Sequence, residues 1–196
     1  MTVSSKKKKN DVLSNFLTAA KAGVKKAGEA VYAMSASAIR IDVISAGIAP
    51  TTRLSEIAGS PEDLVVGAYI TVSGDMPGHA LLIFPYDSAL LLVDLIAGRK
   101  PGTTKCLDEL DESLIHEVSN IVTSSYLNAI SDFYQCTLTP TPPCLAIDMC
   151  SAVIDSVLLN TGHFEKDTIS IVTRFAGSSQ AVRGFFLYVS EITTLA

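Results

Sequence analysis

The chain has 196 residues, 48% of them hydrophobic, and a formal net charge of −5, which suffices for the core of one compact unit. Residues 1–26 hold seven Lys against one Asp, leaving eight basic and nineteen acidic residues beyond; an acidic body without interleaved aromatic and basic residues argues against a nucleic-acid partner. No apolar run reaches the roughly 18 residues of a membrane span, since Asp94 breaks Ser88 to Ala97, and Asp11, Ser14 and Asn15 rule out a signal-peptide core, so the cytoplasm is expected.

Residues 1–10, with Lys6 to Lys9, read as a basic flexible leader, and 11–196 as a single domain. Over 11–35, Val12, Leu13, Phe16, Ala19, Ala20, Val24, Ala27 and Val31 keep helical spacing. Ile39 to Ile48 suggests a strand that alternates less cleanly at Ser45 and is closed by Pro50. The runs Leu64 to Val72 and His79 to Phe84, joined by Ser-Gly-Asp-Met-Pro-Gly, predict a hairpin. Pro85 then ends the strand, Asp87 or Ser88 can cap a short helix, and Gly98 stops it.

A long helix is expected over Leu110 to Ser131, then a strand over Phe133 to Leu138 closed by Pro140, Pro142 and Pro143. Helical spacing of Ile147, Met149, Val153, Ile154, Val157 and Leu158 predicts a buried helix from Leu145 to Leu159. Thr168 to Phe175 and Ala181 to Val189 form a second hairpin around Gly177, Ser178 and Ser179. Cys106, Cys136, Cys144 and Cys150 lack a C-x-x-C pair or nearby His, so they read as buried or incidental thiols.

The long second helix carries the chemistry. Ser113, Glu117 and Asn120 have the spacing S-x-x-x-E-x-x-N, and 22 residues separate Asn120 from Pro143. At about 100° per residue the three share an arc of roughly 60°, away from the face of Leu114, Val118, Ile121, Val122 and Ala129. A carboxylate therefore stands beside an amide on the displayed side. A shift of 96 places Ala33-Met34-Ser35 over Ala129-Ile130-Ser131, marking two pseudo-repeats over about 11–105 and 106–196.

These features resemble the CheC family of bacterial and archaeal chemotaxis phosphatases, relatives of CheX and FliY. The resemblance is carried by Leu110-Asp111-Glu112-Ser113, Glu117, Asn120, Ser125-Tyr126-Leu127-Asn128-Ala129 and Pro142-Pro143, with Gly74-Asp75-Met76-Pro77-Gly78 before the Leu81 to Phe84 strand. It implies an α+β fold with two long helices packed on a largely antiparallel sheet about a pseudo-twofold axis. Both long helices of the family can carry the acid and amide. Here Lys21 stands opposite Glu117, Val24 opposite Asn120 and Leu17 opposite Ser113, and Glu29 does not restore the motif, so the first site is expected to be degenerate.

The implied substrate is the aspartyl phosphate of a CheY-like response regulator. Asn120 would hold the attacking water and Glu117 would pair with a lysine of the regulator. Ser113 and Pro143 would support them. No cofactor is expected on this chain, since the resemblance puts the Mg²⁺ on the regulator. An alternative is a non-catalytic chemotaxis adaptor binding CheD or a flagellar or archaellar switch component, with Asp148, in the helix expected after the Pro143 loop, as a candidate CheD contact. A third reading, a metal-dependent hydrolase built on Asp108, Glu109, Asp111 and Glu112, is weaker: the acids suit a helix N-terminus, and His79, His116 and His163 lack ligand spacing to them.

Overall fold

A computed structural model describes residues 3–34, 40–50, 59–161, 167–176 and 181–190. In chain order they form α1 (Val3–Met34), β1 (Arg40–Pro50), β2 (Leu64–Gly74), β3 (Gly78–Pro85), α2 (Tyr86–Ile96), α3 (Glu109–Tyr134), β4 (Leu138–Pro140), β5 (Cys144–Met149), α4 (Cys150–Thr161), β6 (Asp167–Ala176) and β7 (Ala181–Ser190). The strands join in one sheet of order β1-β6-β7-β3-β2, and the outer side of β2 pairs β5 along Leu64 to Tyr69 and β4 along Val72 to Gly74. Every described pairing is antiparallel.

This order reads the same from both edges. In each half a long helix leads to an outer strand, and that strand pairs with the hairpin of the other half: β1 with β6, and β5 with β2. The hairpins meet where β3 pairs β7, the position of the pseudo-twofold axis. The α+β architecture and its two long helices agree with the expected fold.

Alternation along the strands divides the apolar residues between two cores. Ala80, Leu82 and Phe84 join α1, α2 and α3 in the larger one, while Leu81 and Ile83 meet Val153, Ile154 and Val157 of α4 in the smaller. With both faces covered, β3 is apolar nearly throughout, as a strand buried on two sides must be. The long helices share a buried row at four-residue spacing, Ala19, Gly23, Ala27 and Val31 on α1 and Ile115, Ser119, Thr123 and Leu127 on α3, each pair 96 residues apart. Gly23 sets their closest approach: a Cβ there would stand 2.9 Å from the Ser125 carbonyl oxygen and 3.0 Å from Tyr126 Cα.

Several expected boundaries are corrected. Helix α1 begins at Val3, within the expected leader, because lysine is a good helix former and nothing in Ser4 to Asn10 breaks the chain. Helix α2 begins at Tyr86 with Pro85 at the cap position, so neither Asp87 nor Ser88 caps it. Strand β1 carries a register shift between Val43 and Ser45, which accounts for the broken alternation there. Phe133 and Tyr134 are helical; α3 ends where Gln135 turns left-handed at φ 51°, and the strand is only Leu138–Pro140.

The largest correction concerns residues 144–149, expected as the start of a helix. They form β5, and the helix starts at Cys150. The outer side of β2 needs hydrogen-bond partners, and that tertiary demand outweighs a short apolar run compatible with either state. Asp148 therefore lies on a strand. Gly177, Ser178, Ser179 and His163 fall outside the described residues.

Candidate functional site

Helix α3 starts from a reciprocal cap. Asp108 Oδ1 accepts from the Asp111 backbone N–H at 2.8 Å, and Asp111 Oδ2 accepts from that of Asp108 at 3.3 Å, satisfying two donors that a helix start leaves free. Asp111 is 2% exposed and also accepts from Arg99 Nη1 at 2.8 Å. Arg99 donates to Thr104 Oγ1 at 2.9 Å as well. Asp94, buried, gathers the connecting loop by accepting from the backbone N–H groups of Gly102, Thr103 and Thr104 and from the Thr104 hydroxyl.

Burial alone would raise the Asp94 carboxyl, but the hydrogen bonds from Thr104, Gly102 and Thr103 outweigh it and leave it below its ordinary value. The acidic cluster thus divides: Asp108 and Asp111 fasten the helix start, and Glu109 and Glu112 face outward. Among the described residues no three His, Cys, Asp or Glu side chains come together as metal ligands.

Further along, α3 is held from below. Tyr126 stacks on Phe186 at 4.6 Å between ring centroids, and its hydroxyl hydrogen-bonds Thr173 Oγ1 at 2.8 Å. Burial pushes the Tyr126 phenol up to about 12. With Ile115, Val118 and Val122 wholly buried, the helix has one fixed rotation, and Ser113, Glu117 and Asn120 are exposed. Among the described residues neither Glu117 nor Asn120 has a hydrogen-bond or ion-pair partner. Three residues apart, their backbones are separated by about 4.5 Å along the axis, so both can reach into one partner.

The remaining expected residues fall as follows. Ser113 Oγ donates to the Glu109 carbonyl at 2.8 Å, within its own helix, rather than to Glu117. Pro143 is buried and its carbonyl oxygen lies 2.8 Å from His116 Nε2; with the proton on Nε2 the imidazole donates, tying the strand entry to α3 next to Glu117. His116 lies between Ser113 and Glu117 in the sequence, and that place is the signal for its role at the site. An open groove of about 410 Å³ beside it is lined by Glu109, Glu112, Ser113, His116 and Leu145.

On α1, Lys21 is exposed while Val24, 7% exposed, belongs to the larger core. Asp148 is exposed, with Oδ1 accepting from the Met149 N–H at 2.7 Å. It pairs across from Val65 of the smaller core, and directly opposed residues point to the same face. It therefore faces away from α3. The four cysteines are free thiols, and burial pushes those of Cys136 and Cys150 up.

A long helix with an outward acid and amide, tied to a proline 23 residues on and set on a pseudo-twofold sheet, is the arrangement that the CheC resemblance implies. The CheC-like family model matches residues 110–146, the segment holding Ser113, Glu117, Asn120 and Pro143. The CheY-P phosphatase CheC of Bacillus subtilis (strain 168) is 26% identical over 137 residues, which cover 69% of this chain and 66% of that protein, just under two thirds of its length. Among solved structures, Thermotoga maritima FliY aligns with TM-score 0.74 and 16% identity over 99% of this chain and 93% of its own. A chain of the FliG-FliM complex from H. pylori aligns with TM-score 0.73 and 13% identity over 94% of this chain and 97% of its own. In sequence the chain is similar to CheC-like proteins, and in fold it is similar to FliY. Among the described residues no helix is long and apolar enough to cross a membrane.

Proposed function

We propose that this protein is a chemotaxis phosphatase that accelerates hydrolysis of the aspartyl phosphate on a CheY-like response regulator. One observation carries the reading: Glu117 and Asn120 are exposed, unpaired among the described residues and one turn apart on a rigidly seated helix, within the segment that matches the CheC-like family. An acyl phosphate is already labile, and phosphoryl transfer proceeds through a loose transition state, so alignment of water and charge contributes more than a strong base. Asn120 supplies both an acceptor and donors that do not titrate near neutrality, and it places the attacking water in line. The P–O bond to the aspartyl group breaks as the water oxygen bonds to phosphorus, releasing inorganic phosphate.

Glu117 docks the amide by pairing with a lysine of the regulator. The Mg²⁺ that offsets phosphoryl charge belongs to the regulator. Ser113 keeps the helix surface low beside Glu117, and Pro143 shapes the strand entry through its carbonyl bond to His116. Lys21 and Val24 offer neither carboxylate nor amide, so the activity has one centre, on α3.

In a decay assay of the phosphorylated regulator, Asn120→Ala lowers the rate on the order of 100-fold, comparable to removing one oriented polar group from an active site, with an unchanged melting curve. Glu117→Ala raises KM roughly tenfold. Undiminished hydrolysis by Asn120→Ala would overturn the assignment, and activity above background in the double variant would show a second centre.

A second reading, a non-catalytic adaptor for CheD or a flagellar or archaellar switch component, is favoured by the single acid–amide pair and by the shared fold of FliM and FliY. A CheD contact through Asp148 would use the sheet face away from α3. Pull-down with CheD alongside the decay assay separates the two readings, because an adaptor binds without shortening the phosphoryl lifetime.

A further inference from the structure

The sheet edge beside α3 carries an uncovered apolar row. Leu145 lines the groove next to Ser113 and His116, and Ile147 and Met149 follow on the same face of β5, each about 7 Å further along. Ile147 is 40% exposed and Met149 49%, and Leu64, directly across from Met149, is 48% exposed. Val65 and Val66, one and two residues on, are buried. Among the described residues no strand pairs with the other side of β5. A contiguous exposed apolar row rimmed by polar groups marks an interaction surface.

Its rim has one sign. Glu109 and Glu112 line the same groove and are exposed, and among the described residues neither has an ion-pair partner. Such a surface suits a partner presenting an apolar side chain flanked by Lys or Arg: burial of the apolar row supplies affinity, and the carboxylates steer and orient. The row lies on the α3 side of the sheet, since Ile147 pairs with Val66 of the larger core, and the groove joins it to the motif helix at Ser113.

We propose that Leu145, Ile147, Met149 and Leu64, with Glu109 and Glu112, form the docking surface for the regulator's receiver domain, gripping a basic-flanked apolar side chain outside its phosphorylation site. The proposal rests on the reading of α3 as a phosphatase element and adds where substrate affinity resides. Glu117 and Asn120 then act on a partner already held by the edge.

The test combines binding and turnover. The probe is a CheY-like receiver domain loaded with beryllofluoride, titrated onto the full chain; hydrolysis is followed on the phosphorylated domain. Ile147→Ser with Met149→Ser weakens binding and raises KM at least tenfold with kcat unchanged and an unaltered melting curve. Glu109→Lys with Glu112→Lys slows association and flattens its salt dependence, and Asp155→Ala, exposed on α4 at the opposite face of the sheet, changes nothing. Wild-type binding by the serine variant overturns the proposal, as does a dimer that this variant dissociates without loss of receiver binding, which would make the row a self-association surface. Receiver binding that needs the row but brings no hydrolysis leaves docking in place and removes the phosphatase reading; hydrolysis indifferent to the row does the reverse.

Discussion

The two long helices share one buried row and differ in the row beside it. Gly23 and Ser119, 96 residues apart, both sit in the seam, yet the next residue is buried Val24 on α1 and exposed Asn120 on α3. Val24 lines a groove with Ile41, Gly28 and Tyr32, so the flank of α1 packs toward its own outer strand. On α3 the equivalent flank is open, and the strand entry is held by the His116 bond to the Pro143 carbonyl. The first half therefore differs in shape as well as in residue type. A site needs the helix row turned outward before an acid and an amide can matter.

Transplanting the motif onto α1 tests whether shape or residue type separates the halves. Lys21→Glu with Val24→Asn, added to Asn120→Ala, is expected to recover none of the roughly 100-fold lost in rate, because position 24 faces the core; recovery in the decay assay would show that chemistry alone separates the halves. Next in size is the Asp94 anchor of the loop that leads into α3. Asp94→Asn is expected to cost about 2–3 kcal/mol in urea unfolding at neutral pH, since it weakens hydrogen bonds to a buried charge.

The Asp94 anchor also responds to acid. A carboxyl held below its unfolded-state value contributes stability above that value and loses it as pH falls through the folded-state value. The wild-type chain should therefore lose stability below about pH 4, and Asp94→Asn should lose less over that window. Smallest is the ion pair joining the two helices: Lys26 Nζ and Asp132 Oδ2 are 3.1 Å apart with side chains 57% and 71% exposed, and Lys26→Ala should change stability by no more than about 0.5 kcal/mol.

Elements with local signatures were legible. The turn segment from Ser73 to Gly78 announced its hairpin, and the amphipathic spacing around Glu117 fixed which side of α3 faces outward. Strand β5 was not legible, because Leu145, Ile147 and Met149 fit either period and the decision lay in β2, some 80 residues earlier. Phe133 and Tyr134 misled for a related reason: aromatic residues favour strands, but Tyr134 packs against the larger core as part of the helix. His116 escaped because its partner is a backbone carbonyl, which any residue at 143 would provide. The acidic cluster was readable in type but not in division, since only the fold brings Arg99 to Asp111 and leaves Glu109 and Glu112 outward.

The exchanged outer strands have a consequence for descent. Because β1 belongs to the first half but is paired to β6 of the second, a gene trimmed to the half that carries Glu117 and Asn120 would leave β6 with a raw edge and α3 without the neighbour that Gly23 admits. Mutation can change the residues at positions 21 and 24 of α1, but it cannot delete the segment that carries them. The first half is thus inherited as a structural hostage of the second.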